Sequence, residues 1–177
     1  QEALEPIRIR RLPMFWWVGP ATRPAELGDA LVDAGLILID DVPGMALALS
    51  KVGAGKPTPS SLTYREVRAD ADLNPWMEIF RSVFELPDFV CGFFRRAMKA
   101  YGLAPSSPYQ HYLGCWEGRP VSCASVFFSG KTAGIYNVGT LPAFQGLGIG
   151  AAMSRYALEA ARDQGLALAV LHASPQG

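Results

Sequence analysis

The amino-acid sequence predicts an α/β (α+β) fold, in which a mixed, mostly antiparallel sheet is flanked by helices. Three observations carry this prediction. Residues 62–177 contain strand-like and helix-like segments in the order β-α-α-β-β-β-α-β. The three consecutive strands in the middle are separated by turns so short that they must be antiparallel neighbours. Near the end of the chain, a strand leads through closely spaced glycines into a helix.

A length of 177 residues predicts one domain, or one domain with a partial second. Half of the residues are apolar, 18% are charged and the formal net charge is zero, so we expect a packed core and no nucleic-acid partner. The sequence shows no signal peptide and no bilayer-spanning run, which predicts a cytoplasmic protein without a membrane partner. Cys91, Cys115 and Cys123 lie in apolar segments, which indicates buried reduced thiols. We expect no metal site.

Residues 1–51 are predicted to form a β-α-β-β segment. A strand at Met14–Gly19 precedes a short capped helix that starts at Thr22 and ends at Gly35. Two strands, Leu36–Asp40 and Met45–Lys51, follow on either side of a Pro-Gly turn. Residues 52–61 are rich in Gly, Pro, Ser and Thr without hydrophobic periodicity, and this composition predicts a linker.

Residues 62–177 begin with a strand at Leu62–Arg68 and a pair of helices. Asn74 and Pro75 are predicted as N-cap and first residue of one helix, and Asp88 as the cap of the next, which Gly102 ends. The apolar faces are predicted to comprise Trp76, Ile79, Phe80, Val83 and Phe84 in one helix and Val90, Phe93, Phe94, Ala97 and Tyr101 in the other. Three further strands are predicted at Tyr109–Trp116, Pro120–Ser129 and Thr132–Thr140. A helix from the glycines to Gln164, ended by Gly165, and a last strand at Leu166–His172 follow them.

The segment from Gln145 to Ala151 is the strongest functional signal. Glycines at a helix N-terminus let the backbone approach a phosphate, and the free N–H groups of the first turn point at it. The nucleotide P-loop pattern G-x-x-x-x-G-K-[ST] does not occur. The dinucleotide pattern G-x-G-x-x-A fits the segment, but the next strand, Leu166–His172, lacks the acidic residue that this pattern requires. A glycine turn that only packs a helix on a sheet remains the alternative.

A third pattern, [QR]-x-x-G-x-[GA], matches Gln145, Gly148 and Gly150 in register. With the order of elements around it, residues 62–177 resemble a GNAT N-acetyltransferase. The resemblance implies a sheet that splays between its fourth and fifth strands, Thr132–Thr140 and Leu166–His172, with acetyl-CoA in the gap. It assigns the cofactor-binding residues as Val138, Gly139 and Thr140 for the pantetheine, Gln145, Gly146, Leu147, Gly148, Ile149, Gly150 and Ala151 for the pyrophosphate, and Ser174.

The sequence also departs from the pattern of the GNAT family. Leu147 stands where the family often has a basic residue, so the backbone must supply most of the phosphate contacts. The sequence ends where the family has its last helix and last two strands, the region that often carries the thiolate-protonating tyrosine. The β-α-β-β order of residues 1–51 resembles that missing end, as in tandem GNAT proteins, and an unrelated extension is the alternative. We expect Met14–Lys51 to extend the sheet beside Leu166–His172.

The catalytic residues are less clear than the cofactor loop. The resemblance gives the backbone N–H of Val138 the role of oxyanion donor. The acid that serves as base in one branch of the family is missing from Thr132-Ala133-Gly134, which leaves His111, Tyr136 and Glu117 as candidates. His111 is equally interpreted as a hydrogen-bonded structural histidine, and Tyr136 as a core residue.

The expected function is N-acetyl transfer from acetyl-CoA to a primary amine of a small molecule or peptide, by direct attack in a ternary complex without a metal. A homodimer is possible. The alternative is a degenerate module that binds acyl-CoA for regulation or assembly without turnover.

Overall fold

The structure is a computed structural model that describes residues 4–10, 14–53, 55 and 57–173. It divides into two compact units, Gln1–Val42 and Pro43–Gly177. Ser174, assigned above to cofactor binding, lies outside the described residues. Within the described ranges, no helix is long and apolar enough to cross a membrane.

The first unit contains two short helices, α1 (Glu5–Ile9) and α2 (Leu27–Asp33). The guanidinium group of Arg8 donates a hydrogen bond to the carbonyl of Ala34, which ties the two helical segments together. The strands predicted at Met14–Gly19 and Leu36–Asp40 are wrong, because both segments lack strand pairing in the structure. A run of apolar residues favours extended backbone, but a strand exists only where a neighbour supplies the ladder of hydrogen bonds.

The second unit is built on a six-stranded sheet in the order β1-β6-β5-β4-β3-β2. Only the β5–β6 pair is parallel, so the sheet is mixed and mostly antiparallel, as predicted. The strands are β1 (Gly44–Ala48), β2 (Leu62–Glu66), β3 (Tyr109–Trp116), β4 (Arg119–Ser129), β5 (Thr132–Thr140) and β6 (Leu168–His172).

Strand β1 is the part of the N-terminal segment that joins the sheet. It pairs antiparallel with β6 over its full length, from Gly44 opposite His172 to Ala48 opposite Leu168. The expected pairing beside β6 is therefore confirmed for Gly44–Ala48, while the end of the predicted strand, Leu49–Lys51, is a 3₁₀ turn. Leu49 is fully buried in that turn and anchors the segment in the core.

Three helices flank the sheet: α3 (Asp70–Phe84), α4 (Asp88–Tyr101) and α5 (Ile149–Asp163). Helix α3 starts four residues before the predicted Asn74 cap, because Asp70 and Asp72 place negative charge at the positive end of the helix dipole. The Asn74 side chain instead accepts a hydrogen bond from Arg95 of α4 at 2.7 Å. The predicted Asp88 cap is wrong, because Asp88 is the first helical residue of α4 and Pro87, which has no side-chain capping bond, occupies the N-cap position; the helix ends at Gly102 as predicted.

The two faces of the sheet carry separate apolar clusters. Neighbouring residues on a strand point to opposite faces, so Tyr112 packs with the α5 cluster and Leu113 with the α3 and α4 cluster. Some predicted core residues are wrong: Phe93 and Tyr101 of α4 are 61% and 76% exposed, and Met98 is buried in their place. Helix α4 touches the core with a narrower stripe than its apolar pattern suggests.

Candidate functional site

The candidate site begins where β5 and β6 separate. The two strands pair only from Thr132 opposite Leu168 to Gly134 opposite Val170. Strand β5 continues for another six residues to Thr140, bonded along this stretch to β4. The sheet therefore opens into a gap with the β5 backbone along one side, and the predicted splay is confirmed.

A β-bulge interrupts β5 inside this gap. Ser125 pairs with Tyr136 and Cys123 pairs with Gly139, so two residues of β5, Asn137 and Val138, lie opposite Ala124 alone. Asn137 has a φ of +54°, in the left-handed region that asparagine tolerates better than most residues. The indole N–H of Trp76 donates to the Ala124 carbonyl at 3.3 Å, which holds β4 at the same point.

The bulge decides where the N–H of Val138 points. The Leu141 N–H donates to the Val121 carbonyl at 2.9 Å, so residues 121 and 141 form a hydrogen-bonded pair. In an antiparallel ladder such pairs alternate with non-bonded ones, which makes Cys123 and Gly139 the next bonded pair. Thr140, which lies between these bonded pairs, therefore directs its N–H and C=O groups away from β4 and into the gap. Val138 lies in the bulge, where the Asn137 carbonyl accepts a hydrogen bond from the Cys123 thiol of β4. The N–H of the same planar peptide group, that of Val138, therefore points away from that thiol.

The glycine loop closes one end of the gap. A 3₁₀ turn at Pro142–Phe144 follows β5, and α5 begins at Ile149. The Gln145 side chain donates from Nε2 to the Thr140 carbonyl at 3.2 Å. This bond ties the loop to the end of β5, so the Gln145 side chain shapes the loop in addition to any contact with a ligand.

The loop glycines leave room for an anion. Gly146 and Gly148 both have a φ of +77°, and a Cβ atom added at either would meet no heavy atom within 4 Å. Gly148 is the left-handed N-cap of α5, and the N–H groups of the first turn lack partners within the helix. Ile149 is fully buried and fixes the helix in the core, while Leu147 is exposed. The cradle is thus open, apolar in its side chains and positive through its backbone.

His111 lies beside the bulge and beneath the surface. It is 1% exposed, its Nδ1 is 2.8 Å from the Ser125 Oγ, and burial lowers its pKa to about 4. An imidazole with so low a pKa is a weak base, and its burial keeps it from touching a bound amine directly. The Nδ1 bond fits the structural interpretation of His111, but its buried Nε2 has no hydrogen-bond partner among the described residues.

Tyr136 and Glu117 occupy exposed positions. Tyr136, the residue before the bulge, is 44% exposed and its ring lies over Gly134, where an added Cβ would come within 2.5 Å of Cε2. It is therefore a surface aromatic next to the gap and not a core residue. Glu117 adopts a φ of +50° in the two-residue turn between β3 and β4. Nowhere in the described part of the chain do three His, Cys, Asp or Glu side chains gather as metal ligands.

Helix α3 covers one face of β5 next to the bulge. A Cβ atom added to Gly139 would lie 2.9 Å from the Val83 Cγ1 and 3.3 Å from the Phe84 ring. The glycine thus lets α3 approach β5 closely. Phe84 is 41% exposed and forms an apolar wall beside the bulge.

Sequence reasoning missed Asn137 and Ser125, which hydrogen-bond to each other at the bulge. The stretch from Thr132 to Thr140 has the pattern of an uninterrupted strand, and one extra residue in it leaves no mark in the hydrophobic alternation. The only local signal was asparagine itself, the residue that most readily adopts a positive φ after glycine.

The fold, the gap and the loop together define a GNAT-type domain, and the comparison with protein families agrees. The family model of the GNAT acetyltransferases matches residues 73–176. The chain therefore belongs to the GNAT acetyltransferase family. No curated protein matches the sequence.

Solved structures show the same fold. A GCN5-related N-acetyltransferase from Kribbella flavida matches with a TM-score of 0.66 and 20% identity, over 84% of this chain and 54% of that one. The chain thus spans about half the length of that protein. A Clostridium acetobutylicum protein described as a predicted acetyltransferase with acetyl-CoA matches with a TM-score of 0.55 and 20% identity, over 66% of this chain and 83% of that one. A functionally unknown protein from Staphylococcus epidermidis matches with a TM-score of 0.56 and 13% identity, over 99% of this chain and 70% of that one.

Proposed function

We propose that the protein transfers an acetyl group from acetyl-CoA to the primary amine of a small molecule or peptide. The observation that carries the proposal is the glycine loop at the end of the opened strand. The loop offers backbone N–H groups and an unfilled cradle at Gly146 and Gly148, which suit a pyrophosphate. The outward-facing groups of Val138 and Thr140 suit the amide groups of pantetheine, which can pair with them as a strand would.

When bound, acetyl-CoA supplies the activated acetyl group as a thioester. The Val138 N–H faces the gap, where it can donate a hydrogen bond to the carbonyl oxygen that gains charge during attack. Phe84 and the α3 helix keep water from one face of this position, which strengthens such a bond. The chain thus contributes orientation and charge stabilisation at the reacting carbonyl.

Transfer is proposed to be direct, without an acetylated cysteine. A nucleophilic cysteine needs a thiolate, and burial raises the pKa of the Cys123 thiol to about 12. Burial also raises the pKa of Cys115. Cys123 donates from Sγ to the Asn137 carbonyl at 3.3 Å, an arrangement that requires the protonated thiol.

One observation favours the alternative, an acyl-CoA-binding module without turnover. His111, the one imidazole near the bulge in the described residues, is buried, and burial lowers its pKa to about 4. Strand β5 carries no carboxylate at its start. An amine substrate must then lose its proton to water or to the exposed Tyr136 beside the gap, or arrive neutral. The glycine loop serves binding equally well in both functions.

Two measurements separate these possibilities. Calorimetry with coenzyme A tests binding, and a thiol-release assay with acetyl-CoA and a panel of amines, including amino-acid amides and short peptides, tests turnover. Binding with amine-dependent thiol release supports the transferase. Binding without release from any amine supports the module, and failure to bind coenzyme A contradicts both functions.

A further inference from the structure

The side chain of Asn137 spans the bulge that directs Val138. Its Nδ2 donates hydrogen bonds to the Tyr109 hydroxyl at 3.1 Å and to the Ser125 Oγ at 3.3 Å. The carbonyl of the same residue accepts the bond from the Cys123 thiol. Asn137 is thus tied to β3 through Tyr109 and to β4 through Ser125 and Cys123.

The two acceptors of the Asn137 amide are themselves fixed. Ser125 Oγ is also bonded to His111 Nδ1. The His111 ring lies edge-on to Tyr109 and Trp76, with ring centroids 4.3 Å and 5.4 Å away. These rings pack in the sheet and against α3, and this packing fixes the positions of the two acceptors.

A single rotation at residue 137 would redirect the next peptide group. A left-handed backbone is costly for residues other than glycine, and it persists only where the surroundings hold it. Both hydrogens of the Asn137 amide are used for holding it. The peptide N–H that follows is that of Val138, the group that faces the gap.

We infer that Asn137 is a positioning residue, whose side-chain amide, braced by Tyr109, Ser125 and His111, aims the Val138 N–H at the acyl carbonyl of the bound thioester. This inference rests on the proposed function. It gives the buried His111 a role as a brace for Ser125, in place of a role as base. It also explains why a polar cluster sits in the sheet beside the gap, where apolar residues would pack at lower cost.

The test uses the carbonyl stretch of bound acetyl-CoA labelled with ¹³C at the acetyl carbonyl, measured by difference infrared spectroscopy. Hydrogen bonding to a carbonyl lowers its stretching frequency. Wild type should therefore lower the frequency relative to acetyl-CoA in buffer. Asn137→Gly keeps a residue that accepts a positive φ but removes the amide, so the lowering should be lost. The affinity for coenzyme A, which lacks the carbonyl, should stay within about twofold because the loop contacts are intact.

Turnover provides a second readout. With an amine that wild type acetylates, Asn137→Gly should lower kcat at least about tenfold at nearly unchanged KM, since one oxyanion donor is worth about 10²–10³ in kcat. Ala160→Gly in α5 is the matched control. It weakens helix α5 away from the bulge and should change neither the carbonyl frequency nor kcat.

The outcomes are distinct. If Asn137→Gly retains the wild-type frequency while bound, or if Ala160→Gly loses it equally, the inference is overturned. If wild type binds acetyl-CoA without any lowering of the carbonyl frequency, no N–H group donates to the carbonyl, and the inference is likewise overturned although the binding function survives. If wild type does not bind acetyl-CoA, the proposed function fails and the inference with it. Should Asn137→Gly not fold, the double variant Tyr109→Phe with Ser125→Ala removes both acceptors of the Asn137 amide. The carbonyl frequency and kcat of that variant then decide in the same way.

Discussion

Replacing Gly148 with aspartate puts a negative charge where the loop is proposed to hold the pyrophosphate. Gly148 is the N-cap of α5, its φ is +77°, and a Cβ atom there enters open space. The substitution therefore has no steric cost inside the protein, and its backbone cost is about 1–2 kcal/mol or less, because aspartate and asparagine tolerate this conformation. Any larger loss of affinity for coenzyme A must therefore come from the interaction of the aspartate with the bound ligand.

The magnitude follows from the distance between the two charges. A carboxylate about 4 Å from a phosphate near a protein surface is repelled by about 4 kcal/mol, which corresponds to roughly a thousandfold loss of affinity. Screening by salt reduces this figure, so we expect at least about a hundredfold loss for Gly148→Asp at 0.15 M salt.

Gly148→Asn is the matched control for this prediction. Asparagine has the same shape and the same tolerance of a positive φ, but no charge, so we expect it to lose about tenfold or less. Isothermal titration calorimetry with coenzyme A measures both variants, with thermal melting to verify that each is folded. The difference in affinity between the two variants should decrease as the salt concentration is raised. Equal affinities for the folded aspartate and asparagine variants would refute the assignment of the pyrophosphate to this loop.

The remaining predictions concern stability and the transfer step. Burial lowers the folded-state pKa of His111 to about 4, below the usual 6.5. The contribution of His111 to the free energy of unfolding should therefore be at its maximum above pH 6.5 and fall by up to about 3 kcal/mol as the pH drops towards 4. Urea titrations at several pH values should show this decrease, and His111→Phe should reduce it. Gly102→Ala should lower the free energy of unfolding by about 1–3 kcal/mol, because the new Cβ would lie 2.6 Å from His111 Nε2. Gly92→Ala, inside the helix that Gly102 ends, would place a Cβ that meets only Arg96 Nη1 at 3.6 Å, so it should stabilise the protein by about 0.5–1 kcal/mol. Equal losses of stability in both variants would contradict the steric argument. Replacing all three cysteines with alanine should preserve amine-dependent thiol release if the protein folds, and an acetyl-cysteine trapped by mass spectrometry and competent for onward transfer would show the opposite.

The sequence alone determined the elements whose signals are local. The turn at Glu117-Gly118 and the glycine stop at Gly165 adopt positive φ values, and each was predicted from residues that favour such backbone at the end of a strand or helix. The strands at Tyr109–Trp116 and Thr132–Thr140 have the predicted bounds, because those turns fix where each strand ends. The glycine loop was identified in the same way, since its chemistry resides in the backbone of consecutive residues.

Tertiary structure decided everything that depends on a partner distant in the chain. Leu36–Asp40 and Gly44–Ala48 are both predicted as strands from apolar runs, yet of the two only Gly44–Ala48 is a strand, because it pairs with β6. The bulge at Asn137 arises from one residue of mismatch between β4 and β5, a relation that neither strand reveals by itself. The same holds for His111, whose lowered pKa follows from its burial in the packed sheet beside Trp76. Local propensity specifies which backbone a segment can adopt, whereas register, burial and the direction of a single N–H are set by the segments packed around it.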